Sequence, residues 1–114
     1  MCKRNDVIKL LNMIGVSTKY VGYDYIVEES IIISEKSKHN KKIVLDDINE
    51  YVAKKFCTNK PNIEKNIRCC IEYTFNHGNI NNIDKLFSNV QYYYSDRPTN
   101  KLFLTTVVNY LNNL

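Results

Sequence analysis

The stretch VLDDINEYVAKKFCTNKPNIEKNIRCCIEYTFN, residues 44–76, decides the fold of this 114-residue chain. Val44, Leu45, Ile48, Tyr51, Val52 and Phe56 recur at helical spacing and form one apolar stripe. Asp46 and Asp47 fall near the helix start, where the macrodipole favours negative charge. Cys57-Thr58-Asn59 then interrupts the pattern. A second helix begins at about Lys60, with Thr58 or Asn59 as its cap. Pro61 falls in the first turn, where a missing N–H does no harm. This helix runs to about Asn76, stops at His77-Gly78, and presents Ile63, Ile67, Cys70, Ile71 and Thr74 as its core face. Two helices joined by so short a turn make a helix-turn-helix. Any small helical protein also contains such connections, so the spacing alone does not assign a function.

Outward from this pair, three glycines and two prolines punctuate the chain too sparsely for a sandwich of short strands. Val7, Leu10, Leu11 and Ile14 predict a helix over 4–14, capped by Asn5 or Asp6 and stopped by Gly15. Gly22 marks a turn within Tyr20-Val21-Gly22-Tyr23. Residues 23–35 read both ways. Tyr25, Ile26, Val27 and the run Ile31-Ile32-Ile33 have strand composition, whereas Tyr23, Ile26, Val27, Ser30, Ile31 and Ser34 share one helical face. Residues 36–42 are polar and basic and read as an exposed loop. Ile80, Ile83, Leu86 and Phe87 suggest a short helix over 79–88. Pro98-Thr99-Asn100 opens a last one over 99–113, with Phe103, Leu104, Val107, Val108 and Leu111 on its apolar face. Between these two helices, Tyr92-Tyr93-Tyr94 reads as a loop anchor, or as an exposed triplet able to stack on bases or fill a groove on a partner.

The chain is 44% hydrophobic and 25% charged, the composition of one ordinary domain spanning 1–114. No apolar run approaches the roughly 20 residues that span a bilayer, and no signal sequence follows Met1, so a cytoplasmic protein without membrane contact is expected. Four cysteines (Cys2, Cys57, Cys69, Cys70) lack a Cys-x-x-Cys, and His39 and His77 stand at no zinc spacing from them. Reduced thiols and no metal or other cofactor are expected. No thiol is paired with a base by sequence and no glycine motif cradles phosphate, so no enzymatic activity is expected either.

On a helical wheel the second helix of the pair separates its core face from a face carrying Glu64, Lys65 and Arg68 in its first half. A recognition helix has this layout: its amino-terminal half meets base edges while its back packs on the domain. Arg matches guanine O6/N7 in a fork, Lys reaches the same acceptors, and Glu accepts from cytosine N4. The same residues equally describe a solvated face with a Glu64–Arg68 pair one turn apart.

Ala53-Lys54-Lys55-Phe56, Thr58, Ile63-Glu64-Lys65 and Ile67-Arg68 resemble the effector domain of the stage-zero sporulation protein A family. So do Ile14-Gly15-Val16, Gly22-Tyr23 with Tyr25, Gly78-Asn79-Ile80 with Leu86-Phe87, and Arg97-Pro98-Thr99-Asn100 with Phe103. In order, these matches run from about 7 to 111. The resemblance implies an all-α fold of about six helices with a central helix-turn-helix, and turns residues 23–35 towards helix. It implies promoter DNA as the partner, two copies on tandem sites, and control of transcription. The family's base-facing Glu, Arg and Arg fall on Glu64, Lys65 and Arg68, with Lys65 lacking the bidentate fork of Arg. Lys54, Lys55, Thr58, Lys60 and Asn62 are the expected phosphate contacts. Lys60, Pro61 and Asn62 stand where the family has small or basic residues, and Lys101-Leu102 replaces a small-acidic pair. The family carries a phospho-accepting receiver domain before this one. Met1 directly ahead of the first effector helix leads us to expect a stand-alone, receiver-less protein.

Two functional classes follow. One is a sequence-specific DNA-binding transcriptional regulator. The other is an interaction module that pairs with a full-length regulator or with RNA polymerase through 99–113 and the tyrosine triplet. Charge position favours the first. The formal net charge is +4, and Tyr51 to Ile71 holds Lys54, Lys55, Lys60, Lys65 and Arg68 against Glu64 alone, a local excess that halves when the window is widened by one residue each way to take in Glu50 and Glu72.

Overall fold

The computed structural model describes residues 4–88 and 97–114. Cys2 and the Tyr92-Tyr93-Tyr94 run lie outside them. Six helices occur among the described residues: α1 (Arg4–Ile14), α2 (Val21–Lys38), α3 (Leu45–Lys55), α4 (Lys60–His77), α5 (Ile80–Leu86) and α6 (Asn100–Asn112). The fold is all-α, with α3 and α4 forming the helix-turn-helix.

The segment that read both ways is helix α2, and its surroundings explain the ambiguity. It packs against α1, α3, α4 and α6, and the consecutive residues Tyr25 to Ser30 are all buried. Six successive buried residues cover the full circumference of a helix, so no polar stripe is left to reveal the period. Strand-like β-branched composition is tolerated here because tertiary packing outweighs propensity. The helix also extends further than expected. Gly22 is not a turn residue but lies in the first turn of α2, and residues 36–38 of the expected loop are its last turn. The glycine is needed for close approach: a Cβ on Gly22 would stand 2.2 Å from the Asn66 carbonyl oxygen of α4.

Other boundaries shift for local reasons. α1 already includes Asn5 and Asp6, so neither is its cap. Gly15 terminates it with φ +89°, a conformation open to glycine. α5 is shorter than 79–88, with the Asn79 side chain accepting from Asn82 N at 3.1 Å. Thr99 caps α6, accepting from Leu102 N at 3.1 Å. Three residues placed on apolar faces are exposed instead: Val44 precedes α3 as its cap, Tyr51 is 62% accessible, and Ile80 is 67% accessible.

The core side chains of α4 were read correctly. Ile63, Ile67, Cys70, Ile71 and Thr74 are all fully buried. Each buried isoleucine stabilises by about 1.5–3 kcal/mol, and together they fix which way α4 faces. Beyond them, Phe75 meets Phe87 and Phe103 at ring-centroid distances of 5.4 and 6.4 Å, joining the far end of α4 to α6.

Candidate nucleic-acid interface

The turn between α3 and α4 is built by two caps. At the end of α3, Cys57 N donates to Lys54 O at 3.3 Å and Thr58 N to Ala53 O at 2.8 Å. These are the paired bonds of a Schellman motif, and they place Cys57 at φ 56°. At the start of α4, the Asn59 side chain accepts from Asn62 N at 2.9 Å. Asn59, not Thr58, is therefore the cap. Thr58 takes another part: its hydroxyl accepts from Asn62 Nδ2 at 2.9 Å, and Asn66 Nδ2 donates to Asn62 Oδ1 at 2.8 Å. The result is a ladder of side-chain bonds along the first two turns of α4.

With its isoleucines buried, α4 leaves Glu64 and Lys65 exposed and Arg68 half-buried. Arg68 pairs with Glu72 (Nε to Oε1, 3.5 Å) rather than with Glu64 one turn earlier. Its Nη1 donates to the Pro98 carbonyl at 2.6 Å. Two neighbours of Pro98 also hold α4. Asn100 Nδ2 donates to the Glu64 carbonyl at 3.1 Å, and Arg97 bonds Asn76 Oδ1 while lying 5.7 Å from the Phe75 ring centroid. Residues 97–100 thus form a strap alongside the helix.

The other candidates lie on α3, the turn and the start of α4, so all eight are brought onto one continuous unit. They are not equally available. Lys54 is exposed at the end of α3. Lys55 Nζ donates to Glu28 Oε2 at 2.8 Å. Lys60 Nζ bonds both oxygens of Asp46, at 3.2 and 3.1 Å, which raises the pKa of its ammonium group. Asn62 is occupied with Thr58 and Asn66.

Two carboxyls beneath this unit were not anticipated. Glu28 binds Lys55 and also Arg4 of α1. Burial works against its charge, but the hydrogen bonds and charges of Lys55 and Arg4 prevail and hold its pKa below the ordinary value. Its neighbour Glu29 is completely buried. Desolvation, aided by the charge of Glu64, pushes its pKa up to about 8, so it is protonated at neutral pH. The Asn49 amide lies against it, 3.1 and 2.5 Å from its two oxygens, where the protonated carboxyl can donate to the amide oxygen. Nothing local in the sequence pointed to these partners. The quoted Arg97-Pro98-Thr99-Asn100 run was a signal for the strap, but not for its target.

The fold and this surface define a small all-α domain built around a helix-turn-helix. The family model described as Sporulation initiation factor Spo0A C terminal matches residues 7–111. The chain belongs to that family, a DNA-binding effector domain of sporulation control. Among the described residues, no helix is long and apolar enough to cross a membrane.

Proposed function

We propose that the chain is a sequence-specific transcriptional regulator that inserts α4 into the major groove of double-stranded DNA. Glu64, Lys65 and Arg68 read bases, while Lys54, Lys55, Thr58, Lys60 and Asn62 position the phosphate backbone. The observation that carries this reading is the division of α4 into a fully buried isoleucine face and an exposed Glu64–Lys65 face in its amino-terminal half. Arg68 gives two of its five N–H donors to Glu72 and Pro98, which leaves three on its terminal nitrogens for a base. Two copies on tandem sites, with RNA polymerase as a further partner, fit the family's mode of action.

The interaction-module reading finds less support. α6, which was to carry it, buries Phe103, Leu104, Val107, Val108 and Leu111 in the core. The test is selection of bound duplexes from a random pool, followed by titration of variants. Lys65→Ala should cost about 1–3 kcal/mol at one base pair and relax specificity there, whereas Lys54→Ala should weaken all sequences alike. If both variants bind like the parent at moderate salt, α4 is not the reading helix.

A further inference from the structure

Glu28 stands at the junction of three helices and binds two cations at once. Arg4, in the first turn of α1, pairs through Nη2 with Oε1, and Lys55, in the last turn of α3, pairs through Nζ with Oε2 at 2.8 Å. Positions 4 and 55 are remote in sequence, yet one carboxylate sets their heads a few ångströms apart. The exposures are unequal. The Glu28 side chain is 12% accessible, against 52% for Arg4 and 48% for Lys55. The anion is below and both cations are above it. One carboxylate neutralises one of them, so a positive charge is left facing outward, next to the exposed Lys54. Each cation also keeps N–H donors beyond the one given to Glu28: four of five on a guanidinium, two of three on an ammonium.

We propose that Arg4 and Lys55, spaced by Glu28, form a binding site for a DNA backbone phosphate on the flank of the helix-turn-helix. Arg4 thereby extends the DNA footprint from α3 onto α1. The chemistry is that of paired cations and a tetrahedral oxyanion, with Glu28 holding both heads in place from below. The first helix of a helix-turn-helix crosses the backbone, so a site at the end of α3 is positioned for phosphate and not for bases. The inference rests on the DNA-binding reading above.

The test is the salt dependence of binding to one selected duplex, between 50 and 200 mM salt, for the parent, Arg4→Gln, Arg4→Lys, Glu28→Gln and the double variant Arg4→Gln/Glu28→Gln. Each phosphate contact contributes about −0.9 to the slope of log K against log salt. Arg4→Gln should therefore flatten the slope by about 0.9, so that over this salt range it loses roughly threefold less affinity than the parent. Arg4→Lys should restore most of the slope. The loss from Arg4→Gln should persist when Glu28 is already Gln, because the arginine then still faces the phosphate. If the loss disappears in that background, Arg4 acts only by neutralising Glu28, and the inference is overturned. An unchanged slope in Arg4→Gln overturns it as well, while leaving the DNA-binding reading intact. A parent that retains no duplex from the pool overturns both. Melting curves followed by circular dichroism keep each titration below the unfolding range of its variant.

Discussion

Glu28 and Glu29 are adjacent in sequence and opposite in character. The first is held ionised by Arg4 and Lys55, and the second is held protonated by burial. Their effects on stability therefore have opposite signs. A carboxyl whose folded pKa is lowered contributes stability above its unfolded value, and this is lost as pH falls through the folded one. That is Glu28, and its contribution fades on the acid side. Glu29 is the reverse. Its pKa rises from an unfolded value of 4.5 to about 8 on folding, so its contribution is complete below the unfolded value and declines as pH rises through this window. A single such group gives a slope of about −1.4 kcal/mol per pH unit between the two values. Glu29→Gln keeps the shape and a hydrogen-bonding group but cannot ionise. Urea unfolding at pH 6 and pH 8 should show the parent losing stability over that interval and the variant losing much less. Equal losses would mean that Glu29 does not carry this pH dependence.

The Schellman turn that ends α3 puts Cys57 at φ 56°. The chain meets the same demand with Gly15 after α1 and with Asn40, at φ 53°, after α2. Both are residue types that enter the left-handed region readily, and cysteine is not. Cys57→Gly should therefore raise unfolding free energy by about 0.5–1 kcal/mol, read from the urea midpoint at constant m-value. A drop would show that the thiol makes a compensating contact. This turn also shows how far the amino-acid sequence could be read. Its position between two amphipathic helices was legible, because the periods of α3 and α4 are local and each helix has one wet side. So were the buried face of α4 and the exposure of Glu64 and Lys65. The identity of α2 was not, since burial from Tyr25 to Ser30 on every side erases the contrast on which periodicity depends. Nor were the pairings of Arg68 with Pro98, Lys55 with Glu28 and Lys60 with Asp46, which bridge separations of 30, 27 and 14 residues. No spacing rule reaches that far. They decide which of the candidate cations are free before DNA arrives.

At the scale of the whole molecule, α4 is held from two directions. α2 supports its buried side, where Gly22 brings the two backbones together, and residues 97–100 tie its other flank through Arg68, Glu64 and Asn76. Among the described residues, α2 also packs on α1, α3, α4 and α6. Local opening of any of these must expose part of it, so the amides of α2 should exchange only by global unfolding, with free energies equal to that of the whole domain. Native-state hydrogen exchange checks this: α2 amides that exchange well below the global value would show a subdomain able to open on its own.

The close contact at Gly22 has a consequence for the history of the sequence. Where two helix backbones touch, there is no room for an intermediate side chain, because even a single methyl would stand 2.2 Å from a carbonyl oxygen. Substitutions at that position cannot be sampled one atom at a time, whereas the exposed side chains of Glu64 and Lys65, within a turn of the contact, can change freely. The scaffold is thus locked at a helix–helix contact, and the exposed face of α4 can vary without the fold having to follow.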